Sequence, residues 1–188
     1  IYLNTNRGPA FCRNLGIKNS NSELIAFMDA DDFWPDEKLE IQIMHMQKKN
    51  YSFSYTDFYF FFKDNLENKK KTILPLNYNY ESFLKHSSMS TSSIIVKREI
   101  INNIIFENVD HEDYLFKCDI LRGGEQAFKA EDTFVYYRIN QNNRSSNKIK
   151  NILRLWTINK EKNNLNFFSN LKSLFFISLN SLKKYGWK

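Results

Sequence analysis

Three carboxylates fall within four residues of the run Ala26-Phe27-Met28-Asp29-Ala30-Asp31-Asp32-Phe33-Trp34-Pro35, directly after an apolar stretch from Glu23 to Met28. A strand that ends in clustered acids presents them at its carboxyl end, where open α/β sheets bind ligands. Like charges at such spacing repel, and burial sharpens the repulsion, so a positive partner is expected among them. Hard carboxylate oxygens suit Mg²⁺ or Mn²⁺, ions that usually share their shell with substrate phosphates. A plainer reading makes Asp32 the cap of a helix beginning near Pro35. That reading accounts for Asp32 and leaves Asp29 and Asp31 unexplained. A second acidic group, in Asn108-Val109-Asp110-His111-Glu112-Asp113, stands where a helix would start, a position the helix dipole favours.

Taken together, these segments resemble family 2 glycosyltransferases of the GT-A fold. Asp29-Ala30-Asp31-Asp32, with Phe33-Trp34-Pro35 and Lys38-Leu39, is similar to that family's DxD region. Upstream, Asn6-Arg7-Gly8 and Arg13-Asn14-Leu15-Gly16 resemble its "N-x-G … A-R-N-x-G" segment. Downstream, His111-Glu112-Asp113-Tyr114 resembles its "E-D" catalytic-base motif. Tyr137-Arg138, followed by Asn142-Asn143-Arg144-Ser145-Ser146-Asn147-Lys148, resembles the end of the catalytic domain in bacterial surface-polysaccharide members. The motifs occur in the family's order over roughly residues 1–150. The departure is at the start: Ile1-Tyr2-Leu3-Asn4 resembles the family's third strand, so the strand–helix–strand unit forming the first half of its nucleotide pocket is expected to be missing from this sequence.

The resemblance implies an inverting, metal-dependent transfer from a nucleotide sugar, a UDP-sugar first among the candidates. The acceptor would be a saccharide or a lipid-linked one, in capsule or lipooligosaccharide synthesis. Such a reaction must neutralise the leaving diphosphate and take a proton from the acceptor hydroxyl. The family pattern assigns Asp31 as direct ligand of Mn²⁺ or Mg²⁺, Asp29 to the ribose or the metal, and Asp113 as the base, with Glu112 before it. It turns Arg13 toward the nucleotide and lets Arg138 close over phosphate. Trp34 is either a platform for a sugar ring or a packing residue. His111 binds the metal, orients Asp113 or merely shapes a turn. The alternative to an enzyme is an inactive remnant that serves at most as a binding or interaction module.

The elements that must position these residues read as α/β, with helices and strands mixed along the chain. Ile1-Tyr2-Leu3 reads as a short strand. A helix from Pro9 to about Lys18 follows Gly8, and Glu23–Met28 reads as a buried strand. Asp36–Lys49 is amphipathic, with Leu39, Ile43 and Met46 on its apolar face. Tyr51–Phe62 gives one or two strands, Asn65–Lys71 a charged turn, Tyr80–Lys85 a short helix and Thr91–Val96 a strand. A helix over Glu112–Leu121 ends at Gly123-Gly124. Ala127–Ile139 is strand-like, and two helices over Lys150–Asn163 and Phe167–Lys184 follow. The expected fold is a GT-A-like mixed sheet with flanking helices, over residues 1–148, and a basic amphipathic helical tail over 149–188.

Charge separates these two parts. The net charge is +6, yet residues 144–188 hold ten Lys or Arg against one acid, leaving 17 bases against 20 acids in the first 143. A basic tail on an acidic main part argues against nucleic-acid binding, which needs a basic face on the binding domain itself. The tail's Leu171, Leu174, Phe175, Leu179 and Leu182 line one helical face, which either lies on an anionic membrane surface or packs on the catalytic part. No apolar run is long enough to span a bilayer. Cys12 and Cys118 lack metal-ligand spacing and read as two reduced, buried thiols. The expected location is cytoplasmic, or peripheral at the inner face of the cytoplasmic membrane.

Overall fold

The computed structural model describes residues 1–62, 65–139 and 148–185. The segment Asn142–Asn147, singled out above for its resemblance, lies outside the described residues. Among the described residues, six strands form one mixed sheet: β1 (Leu24–Ala26), β2 (Phe53–Phe62), β3 (Asn65–Thr72), β4 (Asn77–Tyr78), β5 (Ile95–Lys97) and β6 (Ala127–Ile139). The order is β1-β5-β2-β6-β4, and β3 pairs with the far end of β2. Only β2 and β6 run parallel; the other pairs are antiparallel. The helices described with the sheet are α1 (Gly8–Asn19), α2 (Lys38–Lys49), α3 (Tyr80–His86), α4 (Glu112–Arg122), α5 (Lys148–Glu161) and α6 (Phe167–Tyr185). Among the described residues no helix is long and apolar enough to cross a membrane.

Local chemistry explains most of the boundaries. Gly8 adopts φ +80, and its N–H donates to Asn6 Oδ1 at 2.9 Å, a turn that needs glycine before Pro9 opens α1. Asn50 closes α2 in the left-handed conformation. Asn79 and Ser82 form a reciprocal capping box on α3. The core gathers Phe27 from beyond β1, Phe53 and Phe58 from β2, and Phe116 and Leu121 from α4. Phe106 stacks on Phe116 with centroids 3.9 Å apart, and Phe27 meets both rings edge-on.

Several sequence expectations are corrected. Residues 1–3 form no strand among the described residues, since no neighbouring strand pairs with them. The expected buried strand over Glu23–Met28 contracts to β1, whose place at the sheet's end leaves Ala26 and Met28 exposed. Thr91–Ser93 is a 3₁₀ turn, and only Ile95–Lys97 of that expected strand pairs. Asn65–Lys71 is not a turn but most of β3, an exposed strand whose lysines suit a sheet margin. Lys69 and Lys71 lie over the ring of Tyr59 on β2. On α2 the buried residues are Lys38, Gln42 and Met46, one position away from the expected stripe at its start, while Leu39 is exposed. Cys118 is buried as expected, but Cys12 is exposed.

The last two helices place Leu155, Ile158 and Leu174 in the core, and a buried polar network sets their orientation. Asn159, fully buried on α5, accepts from the Tyr114 hydroxyl (2.9 Å) and from Asn163 Nδ2 (3.0 Å). Its own Nδ2 donates to Asn170 Oδ1 (3.1 Å) and Ser173 Oγ (3.2 Å) on α6. Ser173 then donates to the Leu84 carbonyl of α3 at 2.6 Å, and Asn180 Nδ2 to that of Lys85 at 3.1 Å. A satisfied buried network is directional and fixes the rotation of both helices. Replacing Asn159 with Ala strips partners from four buried groups at once. We predict a stability loss of about 2–4 kcal/mol in urea unfolding; a loss below about 1 kcal/mol would show that the network is not structural.

Candidate functional site

The acidic cluster forms at a turn beyond the carboxyl end of β1. Asp32 N–H donates to the Asp29 carbonyl at 3.0 Å, closing a turn over Asp29–Asp32. Phe33 then makes a two-way backbone bridge to Tyr136 of β6 (3.2 and 2.9 Å), and the two rings stack with centroids 4.5 Å apart. Arg138 reinforces this seam. Its N–H donates to Asp32 Oδ1 at 3.0 Å and its Nε to the Asp31 carbonyl at 2.9 Å. The structure thus uses Arg138 to hold the turn against β6.

The three acids have different surroundings. Asp32 is buried and accepts from Ser92 Oγ at 2.5 Å. It does not cap α2, whose cap position is Glu37. Burial raises its pKa to about 6, against the opposing hydrogen bonds from Ser92 and Arg138. Asp29 is half-buried; its N–H donates to Ser92 Oγ at 3.0 Å. Asp31 is exposed.

Arg13 supplies the positive partner that the acids require. One guanidinium nitrogen donates to Asp29 Oδ1 at 2.6 Å and the other to Glu112 Oε1 at 3.0 Å. The arginine is largely buried, with its guanidinium 5.2 Å over the Phe106 ring. Asp29 and Glu112, 16 and 99 positions along the sequence from Arg13, are thereby joined through one side chain. Arg13 also lines a groove of about 410 Å³ between α1 and β1, together with Gly16, Ile17, Ser20 and residues 24–28.

Asp113 follows Glu112 on the first turn of α4. Its Oδ2 accepts from Lys117 Nζ at 2.9 Å and from Thr91 Oγ1 at 3.2 Å. Burial opposes its ionisation, but buried Lys117 and neighbouring Arg13 outweigh it and hold the carboxyl well below the usual carboxylate range. Lys117 is itself fixed by the Met89 carbonyl at 2.7 Å. His111 precedes α4 in a left-handed conformation (φ 55), and its carbonyl accepts from the N–H groups of Tyr114 and Leu115. Burial lowers its pKa, so the ring is neutral at pH 7. Its side chain makes no cap hydrogen bond to α4.

Trp34 also has a settled place. Its Nε1 donates to the Ser92 carbonyl at 2.8 Å, and Lys38 Nζ lies 4.0 Å from the ring centroid. One ring face is therefore covered, which favours the packing role. Thr91, Ser92 and Lys117 were not anticipated. Ser92 ties the acidic turn together while its neighbour Thr91 contacts Asp113. The signal available for Thr91 and Ser92 was the small polar run Ser90-Thr91-Ser92-Ser93 before the apolar Ile94. Among the described residues no group of three or more His, Cys, Asp or Glu is arranged to hold a metal by itself.

Residues 1–105 match the model of glycosyl transferase family 2. The chain is 29% identical over 191 residues to the Escherichia coli UDP-Glc:alpha-D-GlcNAc-diphosphoundecaprenol beta-1,3-glucosyltransferase WfaP, covering 98% of this chain and 72% of that protein. It is 27% identical to the putative teichuronic acid biosynthesis glycosyltransferase TuaG of Bacillus subtilis, covering 98% of this chain and 73% of TuaG. In fold it resembles S. aureus TarS 1-349 in complex with UDP-GlcNAc, with a TM-score of 0.67 at 16% identity over 96% of this chain. It also resembles the mannosyltransferase PcManGT of Pyrobaculum calidifontis in complex with GDP-Man and Mn²⁺, with a TM-score of 0.60 at 13% identity over 98% of this chain. The chain spans 55% of the TarS chain and 57% of the PcManGT chain.

The buried Asp32 gives this site a pH signature. Its carboxyl is harder to ionise in the folded protein than in the unfolded chain. Its contribution to stability is therefore fully present below the ordinary carboxylate pKa of 3.8 and is lost as pH rises through about 6. Asp32→Asn is neutral throughout. Between about pH 4 and about pH 7 the stability of the variant relative to wild type should rise by on the order of 2–3 kcal/mol. Parallel chemical unfolding at a series of pH values measures this, and a constant difference would contradict it.

Proposed function

Because the chain belongs to glycosyl transferase family 2, we propose that it moves a sugar from a nucleotide-sugar donor, a UDP-sugar, to a saccharide carried on a lipid diphosphate. Transfer proceeds with inversion at the anomeric carbon, in the assembly of a bacterial surface polysaccharide. The observation that carries this reading is the convergence, through Arg13, of the acidic turn and the Glu112–Asp113 start of α4. Support for the substrate class comes from WfaP, named for a UDP-glucose donor and a diphosphoundecaprenol-linked acceptor. The TarS complex with UDP-GlcNAc supports a uridine nucleotide.

Each group then has a task. Asp113 is the base that takes the acceptor hydroxyl proton, and Lys117 and Thr91 fix its carboxylate in place and in charge. Inversion needs one such base, because the acceptor oxygen attacks opposite the leaving diphosphate in a single displacement. Asp31 and Asp29 are the residues that would hold Mn²⁺ or Mg²⁺, since their hard oxygens fit such an ion and Asp31 is exposed on the turn. When bound, the ion would neutralise charge on the leaving diphosphate as a Lewis acid. Arg13, beside Asp29, adds a fixed positive charge near the same diphosphate. Arg138 holds the turn from behind and closes toward phosphate. The enzyme works at the inner face of the cytoplasmic membrane, where a lipid-linked acceptor lies.

The test is transfer from a radiolabelled UDP-sugar to a GlcNAc-diphosphate-lipid analogue. Asp113→Asn should leave UDP binding unchanged and lower turnover by about 10²-fold or more. Absence of transfer by the wild-type chain, with UDP binding retained, would favour a binding module. Turnover in Asp113→Asn within tenfold of wild type would place the base elsewhere.

A further inference from the structure

Helix α6 carries an exposed apolar stripe on its outer face. The face turned to α3 and α5 carries Asn170, Ser173, Leu174 and Ile177, with the polar members bonded as described. The opposite face carries Phe168 (79% exposed), Leu171 (52%), Phe175 (59%) and Leu179 (37%). Their spacing of three and four residues makes one continuous stripe. The inward network fixes the helix rotation, so the stripe cannot turn into the protein without breaking buried hydrogen bonds. It continues onto α5 through the ring chain Phe168–Phe167–Trp156, with centroids 5.6 and 5.5 Å apart, toward exposed Leu153 and Ile149.

Charge identifies the partner. No acid occurs in α6, and Lys172 and Lys183 are exposed beside the stripe. A second copy of the chain would bring these like charges against one another. An anionic lipid surface instead accepts the rings and leucines at the headgroup boundary and pairs its phosphates with the lysines. We propose that this outward face of α5 and α6 docks on an anionic bilayer. The face also adjoins the chemistry: Arg154 of α5, next to exposed Leu153, donates through Nε to Asp110 at 3.1 Å, three residues before Asp113. Docking there would bring the base side of the site to the membrane surface. The inference deepens the lipid-linked acceptor reading, and rests on it only for its purpose.

Flotation with phosphatidylcholine vesicles, with and without phosphatidylglycerol, tests the docking with no sugar nucleotide or acceptor present. The wild-type chain should partition onto the phosphatidylglycerol vesicles at least tenfold more strongly, and added salt should weaken the binding. Leu171→Glu/Phe175→Glu should lose this binding by tenfold or more while keeping its circular dichroism and melting behaviour. Lys172→Glu/Lys183→Glu should lose the preference for phosphatidylglycerol. Asp113→Asn should bind vesicles like wild type, which separates failure of the docking from failure of the transferase reading. Wild-type protein that stays off the vesicles, or a Leu171→Glu/Phe175→Glu protein that still binds them, would overturn the proposal. So would sedimentation showing a wild-type dimer that this variant abolishes.

Discussion

The arrangement of the site depends on one buried guanidinium between two carboxylates. Asp29 ends the segment leaving β1, and Glu112 begins α4; both would face a neighbouring negative charge in a partly desolvated space. Arg13 offers a separate nitrogen to each and stays charged at any relevant pH. A lysine would supply the charge without the fork. The pairing explains how a helix near the start of the chain, the acidic turn and a helix far along the sequence are held as one unit.

A second link runs parallel to the first. Thr91 and Ser92 are adjacent, yet Thr91 reaches Asp113 while Ser92 reaches Asp29 and Asp32. Two short hydroxyls thus bracket the space between the acidic turn and the carboxylate assigned as base. Lys117 adds a trade-off. By keeping Asp113 ionised it would leave the proposed base ready to accept a proton, but it would also weaken that base, because proton affinity falls with pKa. On the proposed mechanism, Asp113 would then rely more on its fixed position than on intrinsic basicity.

The sequence made the framework readable where chemistry and period agree. The acids after an apolar segment, Pro9 after Gly8, the glycines after α4 and the long aromatic strand β2 all appear where their local preferences point. Reading failed where tertiary contacts reverse a residue's usual side. Lys38 and Gln42 are buried on α2, with Gln42 bonded to Ser54 Oγ and the Ser93 carbonyl. β3 is a strand because β2 offers it a ladder, despite a composition that favours a turn. On α6 the expected stripe of Leu171, Leu174, Phe175, Leu179 and Leu182 divides: Leu174 is buried while Leu171, Phe175 and Leu179 face outward, a rotation set by Asn159, Asn170 and Ser173, residues with no periodic signal. In the site, acids and arginines declared themselves by type, whereas Thr91 and Ser92 matter only through distances between remote segments; Lys117 pairs with Asp113 one turn away on the same helix.

If Arg13 is the shared partner of the two carboxylates, their contributions to stability must be coupled. A double-mutant cycle with Asp29→Asn, Glu112→Gln and the pair, followed by urea unfolding at neutral pH, measures this directly. Each single change leaves Arg13 one carboxylate, while the double change leaves a buried guanidinium with neither. The account predicts that the double variant loses about 1 kcal/mol or more beyond the sum of the singles. Additivity within about 0.3 kcal/mol would contradict it, because Asp29 and Glu112 would then be acting independently of a common arginine.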